Sequence, residues 1–484
     1  MALSIEDIAV FCKKKGFVYP SSEIYGGLAG FWDFGPLGVE LFNNIKADWW
    51  KYFVQSREDM VGIDASIISH PRIWKASGHI ESFSDVAIQC KTCKRINKVD
   101  KADVGKARCE FCGGELDIKT AKELKLLFPL SVGSNGITAY LRGETAQGMF
   151  TDFKIIADTS RKRAPFGIAQ IGKCFRNEIA PRDFLFRSRE FTIGEFEFFI
   201  HPDEKKCSIL DKKHLDIEVM LLDAETQEQG ETGLKKTKIG KMVKDERLGE
   251  WHAYWLAEQA LWLKSLGMDM DKIKVREHVK TELSHYSSAT FDIDYNYPFG
   301  SKEVAGIANR GQYDLNQHIK ESKERLELFD EETKKKIIPR VIEPTFGMER
   351  IFLAVLADAY NYDKKRGNII LKLHPKLAPV KVGVFSLVNK LNKEARKVYD
   401  MLKTEFVCQF DASGSIGRRY ARADEIGIPY CVTFDFDSLK DKAVTIRDRN
   451  DIRQIRVKIS ELVDVLKKLL DSEIKLEKAG KLVR

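Results

Sequence analysis

Two tight cysteine pairs, Cys90-x-x-Cys93 and Cys109-x-x-Cys112, stand fifteen residues apart. Each two-residue gap makes a knuckle that aims two sulfurs at one point, and four thiolates close a tetrahedral shell around zinc. Gly113-Gly114 and the Lys/Arg-rich stretch 91–108 suit a small metal-held knob, read over 86–118. Two accidental pairs or two disulfides are the competing readings. A closed four-sulfur shell is structural, so no catalysis is expected of it. The second feature is charge set in apolar surroundings, where an unpaired ion is costly. Phe175-Arg176-Asn177-Glu178 precedes a loop with Pro181, Arg182 and Arg187, which closes on Ser188-Arg189-Glu190-Phe191. Gly347-Met348-Glu349-Arg350 opens an apolar helix, and Glu303-Val304-Ala305-Gly306-Ile307-Ala308-Asn309-Arg310 follows a long charged spacer. A lone Arg-x-x-Glu is a surface ion pair by default; the three patches in combination are far less expected by chance.

The elements needed to position these residues are legible in part. Pro36 starts an amphipathic helix over 36–56, with Leu37, Leu41, Ile45 and Trp49 at near-helical spacing. Met60–Ile68 reads as a strand. Ile168–Glu178 and Glu190–Ile200 read as two strands joined by the arginine loop. Strand alternation puts Arg176 and Glu178 on one face of the first. It puts Phe191, Glu195 and Glu197 on one face of the second, with Phe196, Phe198 and Ile200 on a core face. A strand with carboxylates on one side and aromatics on the other is one wall of a polar pocket. Residues 203–285 are charge-rich and read as a mostly helical insertion. Trp251, Trp255, Trp262 and Leu266 form a stripe there that reads as packing. Ile337–Thr345 reads as a strand and Met348–Asn361 as an apolar helix.

After His374-Pro375-Lys376-Leu377-Ala378-Pro379, read as a linker, strands and helices alternate through 380–473, the pattern of a compact α/β domain. A basic tail covers 474–484. Two near-motifs fail. Gly167 to Cys174 approaches a phosphate-binding loop, but Cys174 stands where a magnesium-ligating Ser or Thr belongs, and the stretch reads as strand. Lys241-Met242-Val243-Lys244 is a solvated charge run. No dinucleotide fingerprint is present.

The chain has 484 residues, with Lys+Arg 80 against Asp+Glu 72, a net charge of +8. That excess permits an anionic partner without demonstrating one. A hydrophobic share of 43% excludes broad disorder. No apolar run is long enough for a spanning helix, and the acidic start (Glu6, Asp7) does not resemble a secretion signal. Nine cysteines, five of them scattered, suit a reducing compartment, so a cytoplasmic location is expected.

At the level of these motifs the chain resembles the class II aminoacyl-tRNA synthetases. Phe175-Arg176-Asn177-Glu178 with Arg189-Glu190-Phe191 looks like motif 2, and Gly347-Met348-Glu349-Arg350 like motif 3. The helix from Pro36 and the strand toward Pro71 look like the dimer-forming motif 1. Within the class the chain is most similar to the homodimeric, glycine-specific branch. Trp74-Lys75-Ala76-Ser77-Gly78-His79, Glu144-Thr145-Ala146-Gln147-Gly148, Phe191-Thr192-Ile193-Gly194-Glu195, Gly306 to Arg310 and Glu343-Pro344-Thr345-Phe346-Gly347 carry that resemblance. Ser413-Gly414-Ser415-Ile416-Gly417-Arg418-Arg419-Tyr420 is similar to the branch's anticodon-binding domain. Three departures stand out: Gly143 where Pro is usual, Thr345 where Ser is common, and Ser301-Lys302 before Glu303.

The resemblance implies a fold and a reaction. The fold is an α+β catalytic domain (1–375) around a mixed, mainly antiparallel sheet, with the zinc-ribbon knob and an insertion at 203–285. An α/β anticodon-binding domain would follow at 380–473. The reaction would activate glycine with ATP to glycyl-adenylate and transfer it to the terminal adenosine of tRNA(Gly). Arg176 would hold the α-phosphate and the glycine carboxylate, and Arg350 the γ-phosphate. Phe191 would stack on adenine and Glu178 would hold its amino group. Asn177, Phe186, Arg187, Ser188, Arg189, Glu190, Glu303, Val304, Gly347, Met348 and Glu349 would complete the ATP site, with Mg2+ bridging phosphates. Glu144, Glu195 and Glu343, with Arg310, Thr345, Phe191 and Gly347, would bind glycine. Arg182, Arg187 and Arg189 would meet the tRNA acceptor end, and Arg418, Arg419, Arg422, Arg447 and Arg449 the anticodon side. A homodimer is implied and a membrane is not. A sister enzyme for threonine, proline or serine is the nearest alternative, and the carboxylate set favours glycine over it. A non-catalytic RNA-binding paralogue is the other; the presence of both Arg176 and Arg350 counts against it.

Overall fold

The hairpin around the arginine loop lies in the main sheet of the fold. The structure, a computed structural model, describes residues 3–99, 103–284, 286–331 and 333–483. Phe166–Phe175 pairs antiparallel with Glu190–Ile200, from Phe166 opposite Phe199 to Phe175 opposite Glu190. Arg176 and Glu178 therefore lie just past the strand end, in the turn, rather than on a strand face as alternation suggested. Glu190–Ile200 next pairs with Arg340–Gly347, which pairs with Gly300–Gly311. The sheet runs in the order Lys235–Lys238, Glu218–Leu222, Ile273–Glu277, Ala289–Tyr297, Gly300–Gly311, Arg340–Gly347, Glu190–Ile200, Phe166–Phe175, Met60–Gly62. Two of its pairings are parallel, at Met60–Gly62 and between Glu218–Leu222 and Ile273–Glu277; the others are antiparallel.

One face carries the main hydrophobic core. Phe196, Phe198 and Ile200 are fully buried there. Phe196 meets Trp49, Phe53 and Trp255, and Phe198 meets Trp251 and Trp255. Trp49 comes from the helix Pro36–Trp50, whose end widens into a π-helical turn, Lys51–Gln55. Truncating any one of these aromatics would cost about 3–5 kcal/mol, transfer and cavity together. The opposite face is also closed: Glu195 and Glu197 are as inaccessible as the phenylalanines.

Several sequence expectations change. The insertion at 203–285 is not mostly helical. Three of its segments are strands that extend the sheet, and Glu250–Ser265 is its long helix, packed with its tryptophans against the sheet. The sheet ends on Lys235–Lys238, a lysine-rich edge that discourages further pairing. Such a segment reads as a solvated helix when its neighbour is unknown. The strand expected over Met60–Ile68 is split: Met60–Gly62 joins the main sheet, whereas Ile68–Ser69 pairs with Ile137–Leu141. The apolar helix after Gly347 is Met348–Ala359. The knob contains the three strands Ser84–Cys90, Ile96–Val99 and Leu116–Lys125.

The C-terminal sheet has the order Cys408–Asp411, Val382–Ser386, Tyr430–Phe434, Ala443–Asp448, Gln454–Lys458, Lys481–Val483. Its first three strands are parallel. The tail supplies the last strand, pairing with Gln454–Lys458, instead of standing free. The stretch 374–379 is not slack either. Leu377 and Ala378 are fully buried, and their carbonyls accept from Asn44 Nδ2 at 3.1 Å. Among the described residues no helix is long and apolar enough to cross a membrane.

Candidate active site

The turn after Phe175 and the helix start at Met348 face each other across a cleft. Arg176, Glu178, Phe186, Arg187, Ser188, Phe191, Glu303, Gly347, Glu349 and Arg350 line it. Arg176 lies 5.2 Å from the Phe83 ring and 5.3 Å from that of Phe191, and its Nε donates to Gly143 O at 3.0 Å. No carboxylate pairs with it among the described residues, so its two terminal nitrogens are available to an anion. A Cβ at Gly143 would stand 3.1 Å from Leu127 and 3.2 Å from Phe83, so glycine suits the close approach there. Arg350 sits 4.4 Å over the Phe186 ring and donates to Glu303 Oε2 at 2.9 Å. Glu178 accepts from Arg187 Nε at 2.7 Å. Ser188 is buried with a hydroxyl that has no partner among the described residues.

Other members of the expected nucleotide set do structural work. Glu349 accepts from Thr192 N at 2.7 Å and Thr192 Oγ1 at 2.9 Å, clamping the helix start to the hairpin. Burial pushes its carboxyl upward, with Lys173 and Thr192 opposing. Arg189 is tied to Glu178 O and Ala29 O, each at 3.0 Å. Val304 and Met348 lie wholly inside the core, and Asn177 and Glu190 stand outside the cleft lining.

Beside the cleft the expected amino-acid residues converge. Arg310, 1% exposed, donates through Nε and Nη2 to Asp314 at 2.8 and 2.9 Å and through Nη1 to Glu343 at 2.7 Å. Its guanidinium lies 3.8 Å from the Tyr286 ring centre. Thr345 Oγ1 donates to Glu195 at 2.8 Å and lies 3.3 Å from Glu343. Thr145 Oγ1 donates to the other Glu195 oxygen at 2.5 Å. Glu144 accepts from Gln147 at 2.9 Å and lies 3.2 Å from His79 Nε2. Burial by itself would raise the Glu144 carboxyl, but His79, Arg310 and Gln147 outweigh it and hold the group well below the ordinary range. Arg142, two residues before Glu144, turns away to Lys173 O and Ala65 O, each at 2.7 Å.

Sequence reasoning did not assign a role to Ser77, His79, Phe83, Gln147, Asp314 or His318. His79 bridges Ser77 Oγ, at 2.8 Å, and Glu144. Phe83, four residues on, packs on both His79 and Arg176. The segment Trp74 to His79 was legible as a family feature, but its contact with Glu144 joins residues 65 positions apart.

In the knob, Cys90 Sγ lies 3.6 Å from Cys112 Sγ, and Cys93 Sγ 3.5 Å from Cys109 Sγ. These are not disulfide lengths, which are about 2 Å. They approach the roughly 3.8 Å separation of sulfurs on a tetrahedron of 2.3 Å zinc bonds. The four sulfurs could hold a metal ion.

Comparison with known proteins gives the family. A glycine–tRNA ligase of Acetivibrio thermocellus is 43% identical across 95% of this chain and 97% of its own length. The chain belongs to the glycine–tRNA ligase family. Another glycine–tRNA ligase, from Borreliella burgdorferi strain ZS7, is 41% identical over 96% of this chain and 97% of its own. Residues 381–469 match the model of the anticodon binding domain. A Cryptosporidium parvum prolyl-tRNA synthetase, solved with halofuginone and AMPPNP, superposes with a TM-score of 0.59 over 98% of this chain and 79% of that one. At 14% identity it shows the class II synthetase fold alone.

The arginines expected to meet tRNA separate into two groups. Arg418 and Arg422 are exposed on the helix Ile416–Glu425. Arg419, Arg447 and Arg449 are inside. Arg419 donates to the Ser386, Ala412 and Gly414 carbonyls. Arg447 grips Asp424 at 2.8 and 2.9 Å. Arg449 spans Gly427 O and Leu373 O, tying this part of the chain to the preceding one. Their forks are consumed in the fold, which removes these three from a nucleic-acid surface. Arg182 pairs with Glu110 of the knob, so the knob touches the arginine loop.

Proposed function

We propose that this chain activates glycine with ATP and transfers it to tRNA(Gly). The convergence of Glu144, Glu195 and Glu343 around Arg310 and Thr345, beside a cleft holding Arg176 and Arg350, is the observation that supports this reading. ATP enters as its magnesium complex, with adenine against Phe191 and its amino group at Glu178. Arg176 holds the α-phosphate and the glycine carboxylate, and Arg350 exchanges Glu303 for the γ-phosphate. A glycine carboxylate oxygen attacks the α-phosphorus and pyrophosphate leaves with the bonding electron pair of the broken P–O bond. No base is needed, because the carboxylate is already ionised; alignment and positive charge carry the step. A terminal ribose hydroxyl of the tRNA then attacks the glycyl carbonyl; the acyl C–O bond to phosphate breaks, AMP leaves with its electron pair, and the hydroxyl proton passes to a phosphate oxygen of the departing AMP.

Glycine offers an ammonium, a carboxylate and no side chain. A buried, carboxylate-rich site can attract the ammonium and exclude larger substrates sterically. Thr345, with a methyl more than serine, adds to that exclusion. Residues 86–118 form a zinc-bound structural knob, supported by the sulfur spacing, and the arginine loop it touches receives the acceptor end of the tRNA. Arg418 and Arg422 serve the anticodon side. The groove at Phe34, Val39, Phe42 and Trp50 on the Pro36–Trp50 side receives a second copy of the chain, and the enzyme works in the cytoplasm.

The test is ATP–pyrophosphate exchange with each of the twenty amino acids. Exchange driven by glycine alone is expected. Exchange driven by proline, threonine or serine would overturn the specificity, and none with any amino acid would favour a non-catalytic RNA-binding role.

A further inference from the structure

Glu197 is a buried carboxyl that the reaction above does not use. It lies on the same face of its strand as Glu195, two residues deeper, and is fully inaccessible. Glu195 faces Thr345 across the neighbouring strand, and Phe198 faces Ile342, which sets Glu197 opposite Glu343. Oxygens of Glu195, Glu197 and Glu343 lie within 4.8 Å of one another. Three carboxylates so close cannot all be ionised in a site closed to water.

The hydrogen bonds decide which of them carries a proton. Glu195 accepts from two threonine hydroxyls, and Glu343 from the Arg310 guanidinium. Nearby, Glu144 has His79 and Gln147, and Asp314 has Arg310 twice. No donor among the described residues reaches either oxygen of Glu197, whose nearest polar neighbours are the other carboxyls. Arg310 already faces Asp314, Glu343 and, at 3.8 Å, Glu144, and none of its nitrogens donates to Glu197. Burial, with Glu343, Glu195 and Asp314 adding like charge and Arg310 opposing, drives the Glu197 carboxyl far upward. Burial, with Glu195 and Glu144 adding like charge, pushes Glu343 upward too, but Glu343 has the Arg310 guanidinium opposing at 2.7 Å, a contact that Glu197 lacks.

We propose that Glu197 is a positioning residue of the amino-acid site: a neutral carboxyl whose O–H is donated to Glu343, holding Glu343 beside Glu195 in the arrangement that receives the glycine ammonium. One proton in the floor lets an anionic wall stand next to the substrate without a fourth ionised carboxylate behind it. The proposal rests on Glu144, Glu195 and Glu343 being the glycine carboxylates. Glycine-dependent exchange by the unaltered chain tests that reading separately.

The experiment compares Glu197→Gln, Glu197→Leu and Glu197→Asp by exchange at varied glycine and at varied ATP. Gln reproduces a neutral donor, so its glycine KM should stay within about threefold of the unaltered chain. Leu removes the donor and Asp withdraws it by a methylene; both should raise the glycine KM tenfold or more with the ATP KM nearly unchanged. A tenfold loss in Gln would mean that a charged carboxylate is required, and an unchanged glycine KM in Leu would mean that no hydrogen bond is; either overturns the proposal. Melting temperature gives a readout free of activity. A carboxyl raised in the folded state binds a proton that the unfolded chain releases, so its contribution to stability falls as pH rises from its unfolded value toward its folded one. The Gln variant, which has no such loss, should therefore gain in melting temperature over the unaltered chain between pH 5 and pH 8. A difference that does not change with pH would also overturn the proposal.

Discussion

Replacing Arg176 tests the chemistry most directly, because its surroundings separate charge from structure. Its Nε is committed to Gly143 O, whereas its terminal nitrogens face the cleft. Two charge-assisted bonds from those nitrogens, at about 1.5–3 kcal/mol each, are worth about 3–6 kcal/mol in the transition state. At 1.36 kcal/mol per decade, Arg176→Ala should lower kcat/KM for glycine-dependent ATP–pyrophosphate exchange by roughly 10^2 to 10^4. Arg176→Lys keeps the charge but loses the fork and the seat between Phe83 and Phe191. It should fall between, at roughly 10- to 100-fold. The residue is half-buried and pairs with no carboxylate among the described residues, so its removal strands no buried anion. Melting temperature and tRNA binding should change little in either variant. Exchange within threefold of the unaltered chain in Arg176→Lys would refute the forked contact. A large loss of stability would refute the separation of roles.

Other outcomes follow from the same geometry. His79→Ala removes a partner of Glu144 and should raise the glycine KM about tenfold without moving the ATP KM, while His79→Gln, which can still donate, should recover most of it; steady-state exchange checks both. Arg310→Met leaves Asp314 and Glu343 buried without their cation and should cost about 3–5 kcal/mol, lowering the melting temperature by roughly 3–5 °C in a thermal scan. Purified chain should carry one zinc by elemental analysis. Cys109→Ser should lower that content and weaken tRNA charging more than exchange, because the knob meets the arginine loop through Glu110 and Arg182.

Local signals were legible where the chain alone sets them. The alternation of Phe196, Phe198 and Ile200 against Glu195 and Glu197 matches the two faces of Glu190–Ile200, and the strands and helices expected to alternate over 380–473 do so from Val382 to Leu470. The segment 203–285 reads as helical by composition, because nothing local marks Lys235–Lys238 as a strand until Glu218–Leu222 lies beside it. Buried and exposed arginines are indistinguishable in sequence for a related reason. Arg418 and Arg419 are neighbours in sequence and identical in type, yet one is exposed and the other has its fork filled by three carbonyls.

Residue type and spacing therefore determined the cysteine knob and which side chains carry charge into apolar surroundings, and the resemblance of the motifs pointed to the family. The tertiary structure decided where those charges end. It gave Arg310 to Glu343 and Asp314 and turned Arg142 to backbone carbonyls, gave Glu349 to Thr192, and left Glu197 without a donor. The physical reason is that a buried charge is governed by the few groups within about 4 Å of it. Those groups come from strands and helices far apart along the chain, and only the folded sheet brings them together.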